Sequence, residues 1–115
     1  MSKSKAKGTF AETAVRKYLE RWFPGVKRAA LTGNLDEGDI TGVPRTAIEI
    51  KNCGVYNIPA WLKELDAETV NARAEFGVLI VKPRGVGEQN VGEWWAIQRL
   101  DRWAAGHADL LGVES

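Results

Sequence analysis

Apolar residues between Thr9 and Trp22 recur at the i, i+3, i+4 and i+7 spacing of an amphipathic helix. Thr9 followed three positions later by Glu12 fits a capping box, and Pro24-Gly25 ends the segment. The pattern predicts a first helix from Thr9 to Trp22. The basic residues 1–8 before it lack periodicity and are predicted to form a flexible tail.

Short apolar or alternating segments bounded by turn residues predict five strands. They are residues 26–31, 39–41, 46–51, 76–81 and 93–98. Helical spacing recurs from Ile58 to Ala74 and from Leu100 to Ala105. The order αβββαββα lacks the regular alternation of a doubly wound fold, so it predicts an α+β protein with a mixed sheet flanked by helices. The nearly uninterrupted apolar run from Phe76 to Val81 indicates an interior strand covered on both faces.

Composition limits the classes of protein that fit. The 115 residues, 44% hydrophobic and 27% charged, suit one globular domain, predicted over residues 9–115. One cysteine, Cys53, and one histidine, His107, exclude an internal disulfide and a Cys/His zinc site. Neither a signal-peptide core nor an apolar run of about 20 residues is visible, so we expect no membrane partner and a cytoplasmic location.

The net charge is +1, but the basic residues concentrate near the start of the chain. Residues 1–28 hold eight basic and two acidic side chains, and the remaining residues hold eight basic and thirteen acidic ones. A basic surface beside an acidic pocket is what a metal-dependent enzyme acting on a polyanion requires. A solvated basic tail remains the alternative.

The predicted strands 39–41 and 46–51 bring candidate chemistry together. Side chains alternate along a strand, so Glu49 and Lys51 share one face, and a short turn places Asp39 near it. Two carboxylates, with the Ile50 carbonyl as a third oxygen, suit Mg²⁺ when substrate phosphate completes the shell. The alternatives are a turn role for Asp39 and, for Glu49 with Lys51, a cross-strand ion pair on a solvated face.

A metal ion held by these groups polarises a phosphate and lowers the pKa of bound water. Lys51 would orient that water or offset charge on the pentacovalent phosphate. The constellation therefore predicts phosphodiester hydrolysis.

The segments Gly38-Asp39-Ile40 and Glu49-Ile50-Lys51 resemble the signature of the PD-(D/E)XK nucleases. More narrowly, the chain resembles the archaeal-type Holliday junction resolvases and their small phage-encoded variants. Lys7-Gly8 precedes Glu12 as in that family, and Arg28 leads to Thr32-Gly33, with Thr32 where the family has serine and Gly38 where it has proline.

The resemblance implies a restriction-endonuclease-like core and a role for each matched residue. Glu12, Asp39 and Glu49 would be carboxylates of the metal site, Lys51 the catalytic amine and Thr32 an active-site hydroxyl. For Glu12 the capping role described above is the alternative. The resemblance also implies a homodimer, because a two-fold junction needs two symmetric cuts.

These observations predict a Mg²⁺-dependent DNA endonuclease, with Mn²⁺ able to substitute, that resolves four-way junctions. The basic residues predicted to contact DNA are Lys5, Lys7, Arg16, Lys27, Arg28, Lys82 and Arg84. Two alternatives stay open: a PD-(D/E)XK nuclease acting on linear duplex, flaps or single strands, and a non-catalytic DNA-binding protein whose acidic cluster is an ion-pair network.

Overall fold

The structure is a computed structural model that describes residues 3–29 and 38–114. Within these ranges the elements follow the predicted order αβββαββα, with one added 3₁₀ helix. They are α1 (Lys3–Leu19), β1 (Lys27–Arg28), β2 (Ile40–Thr41), β3 (Thr46–Lys51), α2 (Ile58–Asn71), β4 (Phe76–Val81), the 3₁₀ helix (Glu88–Glu93), β5 (Trp95–Ile97) and α3 (Leu100–Leu111).

The five strands form one mixed sheet in the order β1-β2-β3-β4-β5, which confirms the predicted fold class. β3 and β4 run parallel, from Thr46 opposite Phe76 to Lys51 opposite Val81. The other neighbouring strands are antiparallel. α2 makes the crossover between the two parallel strands, as such a connection requires.

Two apolar clusters cover the two faces of the sheet. On one face Ile40, Ile48 and Ile50 pack against α1. On the other, Ala47, Leu79 and Val81 pack against Trp61 and Leu65 of α2. Because side chains alternate along β3, Glu49 and Lys51 lie on the α2 face with Ala47. Leu79 and Val81 are completely buried, and the predicted interior position of β4 is confirmed.

α2 approaches β4 closely at Gly77. A β-carbon at Gly77 would lie 2.5 Å from the Thr69 hydroxyl oxygen and 3.0 Å from Leu65 Cγ. Because glycine has no side chain, α2 can pack this closely on the sheet at Gly77.

α1 begins earlier than the sequence pattern predicts. It starts at Lys3, so residues 3–8 form its first turns instead of a flexible tail, and Thr9 does not cap it. Lysine and alanine are good helix formers, and the side chain of Asn52 donates a hydrogen bond of 3.2 Å to the Lys7 carbonyl. Apolar periodicity reveals neither the helical propensity of these residues nor this contact, so the pattern placed the start of the helix too late.

Other boundaries shift for local reasons. α2 ends at Asn71, before the predicted end at Ala74, and Arg73 then takes a left-handed backbone conformation with φ of 53°. The 3₁₀ helix occupies the beginning of the predicted strand 93–98, which shortens to β5. Of the two adjacent tryptophans, Trp94 is buried and Trp95 is exposed.

α3 extends from the predicted Leu100–Ala105 to Leu111, and Gly112 closes it with a φ of 69°. No helix among the described residues is both long and apolar enough to span a bilayer.

Candidate metal centre

Asp39 is placed against β3 by the backbone around it. Its N–H donates to the Ile48 carbonyl at 2.8 Å, and its carbonyl accepts from the Ala29 N–H at 2.9 Å. Gly38 precedes it with a φ of +106°, and a β-carbon there would lie 2.8 Å from the Ile48 oxygen. Proline holds φ near about −65°, so this backbone differs from a Pro-Asp segment.

The Asp39 carboxyl also accepts a hydrogen bond of 2.8 Å from the Ile50 N–H. The N–H and C=O of a strand residue point to the same side, so the Ile50 carbonyl faces the edge of β3 where Asp39 lies. The predicted oxygen ligands Asp39, Glu49 and Ile50 thus lie close together at one position along β3.

Four carboxyl groups form a row across this point, which we call the carboxyl row. Asp39 is within hydrogen-bonding range of Glu12 and Glu49, and Glu49 is within range of Glu68. α1, β3, α2 and the residue directly before β2 each contribute one member. Glu49 and Glu68 are 5% and 3% exposed, so the row runs from a half-buried end at Glu12 into the protein.

Burial and mutual repulsion raise the pKa values along the carboxyl row. Burial is the largest cause for Asp39, followed by Glu49, and the pKa of Asp39 rises to about 8 although the Ile50 N–H opposes the shift. Burial and then Glu68 raise the pKa of Glu49 to about 8, against the hydrogen bond with Asp39 and the attraction of Lys51. Burial and Asp39 also raise the pKa of Glu12, although Arg28 opposes this. Near neutral pH Asp39 and Glu49 hold protons that a bound cation would displace.

Lys51 lies beside the carboxyl row on the same face of β3. Its ammonium is 3.0 Å from a Glu64 oxygen and 5.9 Å from the centre of the Trp61 ring. Burial lowers the pKa of Lys51, but the hydrogen bond that Lys51 donates to Glu64 and the charge of Glu49 outweigh it, and the net shift is upward. Lys51 is therefore a cation at neutral pH, suited to offset negative charge and unsuited to accept a proton.

The sequence reasoning missed the two glutamates of α2. Oxygen atoms of Glu49, Glu64 and Glu68 lie within 4.8 Å of one another, a spacing that could hold a metal ion. A signal for Glu68 was present, because Trp61, Leu65 and Glu68 follow i, i+4 and i+7 spacing. A carboxylate on the buried stripe of a predicted helix indicates a site, because buried charges need compensation.

Within residues 3–29 and 38–114, acidic groups outnumber the basic groups established as their contacts. The members of the row together with Glu64 make five acidic groups, and Arg28 and Lys51 are basic groups that contact them. Arg28 is bound to Glu12 at 3.0 Å and Lys51 to Glu64. An ion-pair network would not place carboxyl against carboxyl in the interior, whereas protons or a divalent cation would make the arrangement favourable.

Three of the predicted DNA contacts come together in a groove at the carboxyl ends of β3 and β4. The groove has a volume of about 480 Å³, and its charged lining residues are Lys7, Lys82 and Arg84. The Lys82 N–H donates to the Lys51 carbonyl at 3.0 Å, so the groove adjoins the strand that carries the site. Arg84 packs over the Tyr56 ring and donates to the Gly54 carbonyl. We call this surface the basic groove.

The remaining predicted residues do not join the basic groove. Arg16 is bound to Glu20 at 2.6 Å, and Arg28 is bound to Glu12. Lys5 and Lys27 are exposed on α1 and β1 and do not line the groove. Thr32, the predicted active-site hydroxyl, lies outside the described residues.

Comparisons with protein-family models, curated proteins and solved structures give no match to this chain.

Proposed function

We propose that the protein is a metal-dependent DNA endonuclease that hydrolyses phosphodiester bonds at the carboxyl row. The observation that carries the proposal is the contact of carboxyl with carboxyl in a largely buried site, where acidic groups outnumber cations among the described residues. Protein interiors hold unbalanced carboxylates at a large cost, and Mg²⁺ or Mn²⁺ with oxygen ligands removes that cost.

The donor set fits a hard divalent cation. Asp39 and Glu49 would hold it, with the Ile50 carbonyl as a third oxygen and Glu68 or Glu12 closing either end of the row. When bound, such an ion supplies Lewis-acid polarisation of the phosphate and a more acidic water.

The chain's own residues supply the remaining chemistry. The hydrogen bond from the Ile50 N–H holds one oxygen of Asp39 beside β3. Lys51 carries a positive charge beside the row and would stabilise the extra negative charge that develops on phosphate in the transition state. Glu64 holds the Lys51 ammonium in place until substrate arrives.

The basic groove supports DNA as the polyanion. Lys7, Lys82 and Arg84 present three cations, and no carboxylate is among the described residues that line the groove. Four-way junctions are the substrate that we propose, following the resemblance of the sequence motifs, with linear duplex, flaps and single strands as the alternatives. Cys53 is exposed as a free thiol, which suits the reducing cytoplasm that we propose as its location.

Cleavage of a labelled four-way junction beside the matched linear duplex tests the proposal. The wild-type protein should cut the junction with Mg²⁺ or Mn²⁺ and not with chelator. Asp39→Asn and Lys51→Ala should each abolish cutting and leave junction binding largely intact. Asp101→Asn, a change of the same kind on exposed α3, is the control and should cut normally. Cutting by both site variants at the wild-type rate, or no cutting by wild type with either metal, rejects the proposal.

A further inference from the structure

The basic groove has an apolar part that contacts with phosphate alone would not need. Besides its three cations, the lining includes the apolar residues Ala6, Phe10 and Pro83. Phe10 is 41% exposed, and among the described residues no other aromatic ring and no cation packs on its ring. Lys7 and Phe10 are three positions apart on α1 and therefore share one side of the helix. An open aromatic ring thus lies next to a cation in the groove.

The cations of the basic groove are not neutralised by the described part of the chain. Lys7 and Lys82 form no ion pair with a described carboxylate. Arg84 is held by the Gly54 carbonyl and the Tyr56 ring, and neither contact removes its charge. A ligand that suits this lining carries negative charge and has a flat apolar face. A nucleotide has both, in its phosphate and its base.

We propose that the basic groove binds one unpaired nucleotide of the DNA, with the base stacked on Phe10 and the phosphates on Lys7, Lys82 and Arg84. The inference rests on the proposed function for its ligand, DNA, and adds the class of DNA that is recognised. In a linear duplex each base is paired and stacked, so its face is not accessible. A duplex can contact the rim of the groove through its phosphates, whereas only an unpaired or extruded base can lie against Phe10.

The size and position of the basic groove fit such a nucleotide. Its volume of about 480 Å³ lies within the range of about 300–1,000 Å³ that is typical of small-ligand sites. Asn52 and Cys53 of the lining directly follow Lys51 in the chain, and the Lys82 N–H donates to the Lys51 carbonyl at 3.0 Å. The bound nucleotide would therefore lie close to the phosphate that is cut at the carboxyl row.

This arrangement favours substrates in which base stacking is interrupted next to the cut. Extrusion costs least for a base that is already unpaired or single-stranded. Flaps and single strands provide such bases directly, and in the open form of a four-way junction the bases at the exchange point lose a stacking neighbour. An intact linear duplex should be the poorest of the candidate substrates.

Alkylation of Cys53 reports whether a base occupies the groove. Cys53 is the single cysteine of the chain, is exposed and lines the groove. An oligothymidylate of about eight nucleotides should slow the alkylation about tenfold when present at ten times its dissociation constant. A blunt hairpin duplex, which has no unpaired end, should protect Cys53 far less. Both measurements are made in chelator, so they report binding whether or not the protein cuts DNA.

Variants of Phe10 test the stacking contact. Phe10→Ala should weaken binding of the oligothymidylate by at least about fivefold. It should leave the slope of log affinity against log salt unchanged, because the ring carries no charge. Phe10→Trp keeps an aromatic face and should bind as well as wild type. Trp103→Ala removes an exposed ring on α3 and is the control, with binding equal to wild type. Circular dichroism should show all the variants folded.

Three results would overturn the inference. They are equal protection of Cys53 by the duplex and the oligothymidylate, unchanged oligothymidylate binding by Phe10→Ala, and no binding of the oligothymidylate by wild type. Cutting of the junction with Mg²⁺ is measured separately. Failure of the nuclease proposal is a loss of cutting with protection of Cys53 intact, whereas failure of this inference is a loss of selective protection, whatever the cutting.

Discussion

The backbone N–H of Ile50 donates a hydrogen bond of 2.8 Å to the carboxyl of Asp39, and this contact joins two strands where their regular pairing has ended. A carboxyl held by a backbone amide ordinarily has a lowered pKa. Here burial and Glu49 overcome that effect, and the pKa of Asp39 is raised. Ionisation of these carboxyls therefore destabilises the metal-free protein, and this loss of stability can be measured.

Metal-free protein should become less stable as pH rises from about 4 to about 8. Asp39 and Glu49 have folded-state pKa values of about 8, above their ordinary values of 3.8 and 4.5. The stability contributed by their protons is complete below the ordinary pKa values and is lost as pH rises through about 8. Thermal unfolding in chelator over this pH range checks the trend.

Removing either charge should stabilise the metal-free protein at pH 8. We expect Asp39→Asn and Glu49→Gln to raise the melting temperature by about 4 °C or more, equivalent to roughly 1 kcal/mol, and to have little effect at pH 4. Glu75→Gln is the control. It should lower the melting temperature at pH 8, because the hydrogen bond with Arg45 lowers the pKa of Glu75. Destabilisation by both site variants at pH 8 would support the ion-pair network instead.

Metal binding should release protons and involve Glu68. Mn²⁺ should raise the melting temperature more at pH 8 than at pH 6, because the ligands must lose protons before they bind. Glu68→Gln should weaken Mn²⁺ binding by about 10- to 100-fold, whereas Glu88→Gln on the exposed 3₁₀ helix should not change it. Calorimetry in two buffers of different ionisation enthalpy measures affinity and proton release together. Equal Mn²⁺ affinity in the two variants would exclude Glu68 from the site.

The basic groove should contribute most of the salt dependence of DNA binding. Lys82→Ala should weaken binding to every DNA substrate and lower the slope of log affinity against log salt by about 1. Arg16→Ala is the matched control and should leave the slope unchanged, because Arg16 is already bound to Glu20. Titration of a labelled junction at several salt concentrations checks both. A larger effect of Arg16→Ala would place the DNA on α1 instead.

Gly38 should be required for the position of Asp39. Gly38→Ala puts a β-carbon 2.8 Å from the Ile48 oxygen in a backbone with positive φ, and we expect a loss of about 1–3 kcal/mol of stability. Gly85→Ala shares the positive φ but meets no atom within 4 Å. Comparing the melting temperatures and Mn²⁺ affinities of the two variants distinguishes the effect of the Ile48 contact from the cost of a positive φ in alanine. Equal losses in both would show that the Ile48 contact is unimportant.

The sequence predicted the central strands and the convergence around β3 more accurately than the helix ends. β3 and β4 have the predicted bounds because each is an apolar or alternating run ended by polar residues. The proximity of Asp39 and Glu49 followed from strand alternation and a short turn, both of which are local properties. The start of α1 was missed because its first turns carry no apolar stripe and depend partly on the distant Asn52.

The glutamates of α2 were missed for a different reason. Their approach to Glu49 depends on how the crossover helix packs on the sheet, a tertiary relationship that no short segment contains. The charge at Glu68 within an apolar stripe was the only local indication. A count of basic residues likewise could not show that Arg16 and Arg28 are bound to glutamates.

Gly77 carries no functional group, yet it governs the geometry of the carboxyl row. Thr69, which a β-carbon at Gly77 would strike, directly follows Glu68 on α2. Any larger residue at Gly77 would lift that turn of the helix and draw Glu68 away from Glu49. The spacing between Glu68 and Glu49, and with it the size of the cation that the proposed site would accept, therefore depends on the absence of a side chain at Gly77 in β4.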